Sequence, residues 1–504
     1  MTPNDPRRGA RVSSGAVTSA FPPVAFGDLV ASVPEATIRG DGDAVVTDVA
    51  FDSREVTPGA LFFCVPGLHV DGHTFASHAL NAGAVALVVE RWLDVDATQA
   101  LVPSVRRAMG PMSAVAFDDP ASSMATVGVT GTNGKTTVTY LLASIFEAAG
   151  WTGGFVGTTG ASVAGEPVPL GRTTPEAPDL QRLLARMRGR RVRGAALEVS
   201  SHALEQRRVD GVVFNVAVFT NLSQDHLDLH VTMDAYFDAK ARLFTPEHAR
   251  RAIVNADDRS GRRLVREAAI PTTTFGIGTE ADLQARDVVI TRGGIEFTMD
   301  GIAIRSRLRG AFNVENVLAA AAAGRALGID DDAIRHGIAA LREVPGRMEP
   351  IEAGQDFLVV VDYAHTPDSI RSVLRASRPL TSGRLILVFG CGGDRDRAKR
   401  SPMGAAATAN ADLTVVTTDN PRSEDPLAII SEIEPGAKEG GGPFLVEPDR
   451  RAAIQLALRE AAEGDVVVIA GKGHEPFQER RDQAIPFDDR VVAREELEAM
   501  GSGS

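Results

Sequence analysis

The sequence predicts an α/β protein built from three domains. The chain has 504 residues, and a typical domain contains on the order of 150 residues. Apolar strand-like runs alternate with helical stretches over most of its length, and this alternation is typical of βαβ units with parallel sheets. Polar motifs follow several of these runs, at the sheet edge where open α/β folds bind their ligands.

Composition argues against several classes of protein. The net charge of -13 disfavours general nucleic-acid binding, because a phosphate backbone requires a basic surface. The two cysteines, Cys64 and Cys391, lack metal-ligand spacing and favour a reducing cytoplasm over a disulfide framework. No apolar run approaches the roughly 20 residues that cross a bilayer, and the start lacks the apolar stretch of a secretory signal. We therefore expect a cytoplasmic protein that does not insert into a membrane. Separately from these observations, we expect a monomer.

Turn signals divide the chain. Asp118-Asp119-Pro120 closes the first group of strands, and Pro345-Gly346 interrupts the helical pattern ahead of the third group. We expect disordered ends over residues 1–22 and in the final Gly-Ser-Gly-Ser, and domains over residues 23–121, 122–344 and 345–500. The second and third domains are expected to carry parallel, doubly wound sheets. The predicted strands are 60–65, 82–89, 125–130, 195–199, 216–220, 357–361, 385–389, 412–416 and 465–470, with helices over 136–149 and 316–327.

Ligand-binding side chains are expected at the ends of these strands. Polar motifs begin at Ser200, Asn221, Asp394, Asp419 and Gly471, each shortly after a predicted strand. The carboxyl ends of parallel strands meet at one edge of a sheet. Two such edges that face each other enclose a cleft between domains, which is a common location for a site.

A glycine-rich loop follows the predicted strand 125–130. It reads Gly131-Thr132-Asn133-Gly134-Lys135-Thr136-Thr137 and leads into a predicted helix, whose N-terminus favours anions. Glycines let backbone N–H groups approach phosphate oxygens, a lysine contacts the β- and γ-phosphates, and a hydroxyl contacts Mg²⁺. The general pattern has glycine where this chain has Val129, so the loop is a variant form. We expect it to bind ATP with Mg²⁺.

This loop resembles that of the Mur ligases, which build the peptide of bacterial cell walls, and folylpolyglutamate synthases share the same variant. Further motifs resemble those of the Mur ligases in the family's order and extend the likeness over nearly the whole chain. They are Glu198–His202, Thr220–Asp228, Gly310–Asn316, Gly346–Glu349 and Asp362–Asp368. The resemblance implies the three-domain Mur ligase architecture, with an N-terminal UDP-binding domain, a central P-loop ATPase domain and a C-terminal Rossmann-like domain.

Within the family, the chain is most similar to the branch that adds the third peptide residue to UDP-N-acetylmuramoyl-L-alanyl-D-glutamate. The resemblance implies an ATP-dependent ligase of peptidoglycan biosynthesis that joins meso-2,6-diaminopimelate to the D-glutamate γ-carboxylate. A free carboxylate is a poor acylating group, so transfer of the γ-phosphoryl group of ATP first gives an acyl phosphate, which the amine then attacks. Catalysis of such a step rests on positioning and charge neutralisation.

Four side chains are candidates for this chemistry, in addition to the hydroxyl of Thr136. Lys135 suits the β- and γ-phosphates, and Thr136 and Glu198 offer oxygen ligands for Mg²⁺. Position alone predicts a structural histidine at His226 and an exposed helical lysine at Lys240. The resemblance implies instead that His226 binds a second metal ion. It also implies that Lys240 is carbamylated, which turns a cation into a carboxylate-like metal ligand.

The resemblance implies nucleotide contacts outside the loop as well. Asn313, Arg347 and Asp362 match the family's contacts to adenine, phosphate and ribose. Considered singly, each of these residues is equally consistent with a helix cap or a surface salt bridge.

The UDP-peptide acceptor is expected between the first two domains. Segments 51–54 and 67–72 resemble those that hold the UDP part, although Ser53 also fits an ordinary turn. Arg208 is a natural partner for a carboxylate or a phosphate. Arg172 stands where some relatives carry asparagine, and a cation there is compatible with an anionic ligand. The expected contacts are Phe51, Ser53, Leu68, His69, Val70, Thr173, Thr174, Ser200, Gln206 and Arg208.

The third domain is expected to select the incoming amine. Asp419-Asn420-Pro421-Arg422 resembles the form found in enzymes that add meso-diaminopimelate, whose far end carries an amino group and a carboxylate. Arg422 offers a planar fork for that carboxylate; the alternative is an Asn-Pro turn with a solvated arginine. The expected contacts are Arg395, Asp419, Asn420, Pro421, Arg422, Gly471 and Glu475.

Three other interpretations compete with this one. A sibling ligase would use lysine, folate or cyanophycin, and the Asp-Asn-Pro-Arg element and the UDP-like segments argue against it. A P-loop ATPase or kinase would release or transfer phosphate without the acceptor, and the variant loop argues against that class. A catalytically inactive nucleotide-binding module would not be expected to keep Lys135, Glu198, His226 and Lys240 together.

Overall fold

Three large sheets with flanking helices organise the protein. The computed structural model describes residues 22–67, 70–225, 227–481 and 483–501. Of the two predicted disordered ends, residues 1–21 and 502–504 lie outside the described residues, and Gly501 ends a helix. We call the elements around the three sheets the first, middle and third units. Within the described ranges, no helix is long and apolar enough to cross a membrane.

The first unit contains a five-stranded sheet. Its elements are β1 (Val24–Ala25), α1 (Phe26–Val30), β2 (Thr37–Arg39), β3 (Val45–Val46), β4 (Asp48–Ala50), β5 (Ala60–Phe63), α2 (Ala76–Asn81), β6 (Ala86–Val89), β7 (Thr98–Leu101) and α3 (Val105–Ala116). The strand order is β2-β7-β6-β5-β4, parallel except for the β2–β7 pair. The strand predicted over 82–89 begins only at Ala86, because Ala82 and Gly83 close the preceding helix.

The middle unit is built on an eleven-stranded sheet. Its elements are β8 (Ala125–Thr130), α4 (Lys135–Ala148), β9 (Gly153–Gly157), β10 (Gly160–Val163), β11 (Glu166–Val168), α5 (Ala177–Gly189), β12 (Gly194–Glu198), α6 (Ser201–Glu205), β13 (Val216–Phe219), α7 (Leu227–His230), α8 (Met233–Ala241), β14 (Ala252–Asn255), α9 (Arg259–Glu267), β15 (Thr272–Gly276), β16 (Leu283–Thr291), β17 (Gly294–Met299), β18 (Ile302–Ser306), α10 (Phe312–Ala326) and α11 (Asp331–Ala340). The strand order is β11-β10-β9-β12-β8-β13-β14-β15-β16-β17-β18.

The middle sheet is parallel only in its centre. The seven neighbouring strands β9-β12-β8-β13-β14-β15-β16 pair in parallel. At the two edges, β10 and β11 and then β17 and β18 are added as antiparallel strands. The expectation of a parallel sheet is therefore right for the centre and wrong for the edges. A signal for one edge was present: Asp300-Gly301, with φ of 50° and 79°, is a typical hairpin dipeptide and joins β17 to β18.

The third unit is doubly wound, as predicted. Its elements are β19 (Glu349–Pro350), β20 (Leu358–Asp362), α12 (Pro367–Ser377), β21 (Leu385–Phe389), α13 (Arg400–Thr408), β22 (Leu413–Val416), α14 (Pro426–Gly440), β23 (Phe444–Val446), α15 (Arg450–Glu460), β24 (Val466–Ala470), β25 (Phe477–Arg480), β26 (Gln483–Pro486) and α16 (Asp489–Gly501). The order β19-β20-β24-β21-β22-β23 is parallel except for β19. Helices α12 to α14 cover one face of this sheet, and α15 and α16 cover the other.

One arginine ties the antiparallel end of the middle sheet to the third unit. Arg292, in the turn between β16 and β17, donates to the carbonyl oxygens of Leu380 at 2.7 Å and Gly464 at 2.6 Å. Both acceptors lie just before strands of the third sheet. The contact is therefore at the amino ends of those strands, opposite the edge that carries the polar motifs.

Candidate active site

The glycine-rich loop lies between β8 and α4. Gly131 and Gly134 have φ of 147° and 88°, and a Cβ atom would meet a neighbouring side chain at 1.9 Å or 2.3 Å respectively, so only glycine fits. Asn221 braces the loop: its side-chain oxygen accepts from the Asn133 N–H, and its backbone oxygen accepts from the Thr132 N–H, both at 2.9 Å. Contacts within the protein therefore set the loop conformation.

Two ammonium groups converge on one carbonyl of this loop. Lys135 Nζ donates to the oxygens of Gly131 and Thr132 at 2.9 and 2.8 Å. Lys240 Nζ donates to the same Gly131 oxygen at 2.8 Å and lies 4.6 Å from the ring centroid of Tyr236. Desolvation lowers the pKa of both lysines, and the Lys135 charge lowers the pKa of Lys240 further. The positional interpretation of Lys240 as exposed is wrong, since the residue is 1% exposed.

Glu198 and Thr136 bring oxygen atoms to the same region. Glu198 ends β12 and is buried, and its carboxylate accepts from the Thr158 N–H at 2.9 Å and the Thr158 hydroxyl at 3.0 Å. Desolvation dominates the lowered pKa of Lys135, and the charge of Glu198 opposes it. The Thr136 hydroxyl accepts a hydrogen bond at 3.1 Å from Arg347, which lies in the connection to the third unit.

The structure brings one of the three remaining nucleotide candidates against the loop. Arg347 contacts Thr136, and its guanidinium carbon lies 4.7 Å from the ring centroid of Tyr363. Asp362, at the end of β20, accepts two backbone N–H groups at 2.8 and 2.9 Å. Desolvation raises the pKa of Asp362, and the charge of Arg347 opposes this. Asn313 is buried near the start of α10 and donates to a backbone oxygen at 2.6 Å.

The described oxygen donors fit Mg²⁺ carried by a nucleotide. Within the described ranges, no three His, Cys, Asp or Glu side chains group closely enough to hold a metal ion. Magnesium does not require such a cage, because it commonly takes one or two carboxylates together with phosphate oxygens and waters. The Thr136 hydroxyl and the Glu198 carboxylate are donors of this kind.

A cleft of about 1530 Å³ opens between the three units. The strand-end edges of the middle and third units face each other across it, as the sequence predicted. The first unit closes one end with Gly67, Val70 and Arg106. The predicted contacts that line the cleft are Val70, Thr173, Thr174, Ser200, Gln206, Arg208, Arg395, Asp419, Asn420, Arg422, Gly471 and Glu475.

Other predicted residues lie away from the lining of this cleft. Phe51 packs against the core of the first unit, and Ser53 and Pro421 are buried. The remaining nucleotide-loop and catalytic candidates with described positions are also absent from the lining; they are residues 131–137, Glu198, Lys240, Asn313, Arg347 and Asp362. Leu68, His69 and His226 lie outside the described residues, so their predicted roles have no structural counterpart here.

Side chains of the middle unit form a hydrogen-bonded group at one end of the cleft. The Thr174 hydroxyl donates to the backbone oxygen of Glu198 at 2.8 Å and accepts from the Ser200 N–H at 3.2 Å. Arg208 donates to the backbone oxygen of Thr174 at 3.1 Å and to the side-chain oxygen of Gln206 at 2.6 Å. Residues predicted to hold the acceptor therefore contact one another, and they reach back to the strand that carries Glu198.

Glu176 and Arg106 belong to this end but were missed from the sequence. The Glu176 carboxylate lies 3.2 Å from Arg208 Nε and 3.5 Å from an Arg106 nitrogen, and it also pairs with Arg172. Desolvation lowers the pKa of Arg208 to about 10, with Glu176 opposing the shift, so the guanidinium stays charged at neutral pH. The position of Glu176 directly after Thr173-Thr174-Pro175 was the available signal. Arg106, on α3, carried none.

Arg422 lies at the other end of the cleft, under the β25–β26 hairpin. Its Nε pairs with Glu479 at 2.6 Å, and its Nη1 donates to the Gly393 oxygen at 2.7 Å. Its backbone N–H donates to the Glu479 oxygen at 2.9 Å. The alternative of a solvated arginine is wrong, since the side chain is 18% exposed. Glu479 was missed because it follows the recognised motif by several residues.

Asn420 connects a lysine and a carboxylate at the same end. Its Nδ2 donates to Glu475 at 2.7 Å, and its Oδ1 accepts from Lys472 Nζ at 3.2 Å. Desolvation raises the pKa of Glu475, and the charge of Asp419 raises it further. Lys472 is fully buried; it stands inside the Gly471–Glu475 motif but was not singled out.

Three family models match the chain. They describe a Mur ligase middle domain over residues 129–324, a Mur ligase glutamate ligase domain over residues 346–473, and a Mur ligase family catalytic domain over residues 45–116.

Curated relatives match at nearly full length. A UDP-N-acetylmuramoyl-L-alanyl-D-glutamate--2,6-diaminopimelate ligase from Geobacillus thermodenitrificans is 44% identical, over 92% of this chain and 98% of the relative. A protein of the same name from Streptomyces avermitilis is 44% identical over 99% of both chains.

Solved structures share the fold. A structure described as UDP-N-acetylmuramoyl-L-alanyl-D-glutamate--2,6-diaminopimelate ligase is 34% identical with a TM-score of 0.69, and covers 95% of this chain and 100% of that chain. A MurF ligase from Thermotoga maritima in complex with ADP is 19% identical with a TM-score of 0.60, over 90% and 98% of the two chains. The second likeness concerns the fold alone.

Proposed function

The chain belongs to the Mur ligase family, and from this we propose that it is an ATP-dependent ligase that adds meso-2,6-diaminopimelate to the D-glutamate γ-carboxylate of UDP-N-acetylmuramoyl-L-alanyl-D-glutamate. The products are the tripeptide, ADP and phosphate, and the reaction belongs to peptidoglycan synthesis. The observation that carries the proposal is the cleft, which joins the Thr174–Arg208 group to the Asp419–Arg422 edge.

Each of the three predicted domains binds a different substrate. Residues 23–121 bind the UDP part of the acceptor, residues 122–344 bind ATP, and residues 345–500 bind the amino acid. Arg347 links the last two regions, because it lies in the connection between them and donates to Thr136 of the nucleotide loop. Two free, buried cysteines suit a reducing compartment, and we place the protein in the cytoplasm as a monomer.

Activation of the carboxylate relies on charge and position. Lys135 neutralises the transferring phosphoryl group, and the loop 131–137 receives the phosphates at the N-terminus of α4. Thr136 and Glu198 would hold Mg²⁺, which supplies positive charge to the phosphates when bound. Asn313, Arg347 and Asp362 contact the nucleotide, although their present partners are protein groups.

Lys240 is proposed to work as a carbamate. A neutral amine adds to CO₂ with loss of a proton, so a lowered pKa favours the reaction. Desolvation and the charge of Lys135 supply that lowering. The product is an anion beside Lys135, and its oxygens suit Mg²⁺ together with His226. Lys240→Ala should lose activity and recover part of it with short carboxylic acids; full activity without them would contradict the proposal.

The incoming amino acid binds at the end of the cleft that carries Arg422. Arg422 binds the far carboxylate of diaminopimelate, with Arg395 as a second cation, and Asn420, Gly471 and Glu475 bind the remaining carboxylate and amine. Lysine lacks that far carboxylate, and the site therefore disfavours it.

The deciding experiment is phosphate release by the purified full chain with ATP and Mg²⁺. We expect release that requires both the UDP-muramoyl-dipeptide and diaminopimelate, with formation of the tripeptide product. Release without the acceptor would indicate an ATPase, and equal rates with lysine would contradict the role of Arg422. The absence of any diaminopimelate-dependent release would overturn the proposal.

A further inference from the structure

The acceptor end of the cleft carries more positive charge than the contacts assigned above use. Three guanidinium groups, from Arg106, Arg172 and Arg208, surround the single carboxylate of Glu176. The carboxylate is 7% exposed, and this cluster of four groups carries a net charge of +2. Among these residues, only Arg208 has a role in the proposed function.

Arg208 brings a buried charge to the cleft. Its Nε pairs with Glu176 at 3.2 Å, and its Nη atoms donate to the backbone oxygen of Thr174 and to the side chain of Gln206. The side chain is nine-tenths buried, where solvent screens a charge only weakly. Because Arg208 lines the cleft, its charge attracts an acidic group of a ligand there.

A purely structural role explains the other two arginines less well. Arg106 and Arg172 both line the cleft, and their side chains are 32% and 40% exposed. Arg182 offers a contrast, because it also joins the first and middle units, donating to Asp48 and to the Val49 oxygen at 2.9 Å each. Arg182 does not line the cleft. Joining the two units therefore does not require arginines that face the cleft.

We propose that Arg106, Arg172 and Arg208 together bind an anionic group of the acceptor. Glu176 is a positioning residue that keeps the three guanidinium groups close to one another. This inference rests on the proposed function. The ligand chemistry is a carboxylate or a phosphate oxygen, both of which pair with guanidinium forks. Since α3 supplies Arg106, the acceptor joins the first unit to the middle unit when it binds.

Calorimetric titration of the full chain with the UDP-muramoyl-dipeptide tests the proposal without requiring turnover. Arg106→Gln should raise the Kd about tenfold to a hundredfold, the effect of losing one charge-assisted contact. Arg172→Asn should raise it about threefold to tenfold, because that side chain is more exposed. Arg182→Gln is the matched control and should leave the Kd within about twofold. Thermal melts and ATP binding establish that each variant is folded.

A ligand series separates the two sources of negative charge. The titrations are repeated with UDP, UDP-N-acetylmuramate, UDP-N-acetylmuramoyl-L-alanine and the full acceptor. If Arg106→Gln weakens the binding of UDP as much as that of the full acceptor, the anionic group is the diphosphate. If it weakens only the binding of the longer ligands, the anionic group is a carboxylate.

Glu176→Gln tests the positioning role. The charge of the cluster rises by one when the carboxylate is removed, so the Kd should increase more steeply with ionic strength than in the wild type. A role confined to stability would lower the melting temperature and leave that dependence unchanged.

The outcomes distinguish this inference from the proposal on which it rests. If the wild-type chain binds the acceptor but Arg106→Gln and Arg172→Asn bind it equally well, the inference is overturned and the proposed function stands. If the wild-type chain does not bind the acceptor, both are overturned.

Discussion

The two ends of the cleft differ in charge balance. At the acceptor end, three arginines share the single carboxylate of Glu176. At the amino-acid end, Arg395, Arg422 and Lys472 lie among three carboxylates, those of Asp419, Glu475 and Glu479. The third unit also lines the cleft with two further groups of each sign, Arg371, Lys399, Asp368 and Asp396. An excess of positive charge suits an anionic nucleotide-peptide, whereas a balanced set suits a zwitterionic amino acid. The charge balance of the two ends therefore differs in the same way as the charges of the two proposed ligands.

The largest effect is expected for Lys135, because the proposed phosphoryl transfer must occur before the ligands at the two ends of the cleft can be joined. Lys135→Ala removes the cation that is proposed to neutralise the transferring phosphoryl group, and kcat should fall by at least about a hundredfold to a thousandfold. Acceptor affinity, measured by calorimetry, should stay close to that of the wild type. The control is Lys438→Ala, which removes an exposed lysine of α14. A kcat near that of the wild type would rule out the assigned role.

Arg422→Ala should weaken ligand binding at the amino-acid end of the cleft and leave the acceptor end unchanged. Loss of its charge-assisted contact, worth about 1.5–3 kcal/mol, should raise the KM for diaminopimelate about tenfold to a hundredfold. The KM for the acceptor should be unchanged in the same steady-state assays. If both KM values rise together, the two ends are not independent and the comparison fails.

Acidification should also distinguish the ends. Desolvation and Asp419 raise the pKa of Glu475, and the carboxylate must be ionised to receive an ammonium group. As pH falls, kcat/KM for diaminopimelate should therefore decline. The decline should begin at a higher pH than it would if Glu475 had the ordinary glutamate pKa of about 4.3. Glu475→Gln should lower kcat/KM and remove this part of the pH profile; an unchanged profile would exclude Glu475 as its source.

Ionic strength should give the smallest difference. Raising the salt concentration from 0.05 to 0.5 M shortens the screening length, so the KM for the acceptor should rise a few-fold. The KM for diaminopimelate should stay within about twofold, because the charges at its end are balanced. Equal salt dependence at the two ends would contradict the proposed difference in their charge balance.

The sequence was most informative where local chemistry determines structure. The loop 131–137 needs glycine at two positions, and the strand-end motifs follow from parallel pairing, so both were predictable. Lys240 was not: its burial depends on the packing of α8 against the loop, and the positional pattern predicted the opposite. Glu176 and Arg106 meet only because the first and middle units pack together, a contact between residues 70 positions apart in the chain. The antiparallel edges of the middle sheet were missed although Asp300-Gly301 indicated one of them.

Arg292 limits how the third unit can change position. It holds two carbonyl oxygens at the amino ends of the third sheet, whereas the cleft lies at the carboxyl ends. If these two hydrogen bonds persist while the contact of Arg347 with Thr136 breaks, the third unit can turn about Arg292 as a hinge. A small turn about that point moves Arg422, near the far end, by more than it moves the strands close to Arg292.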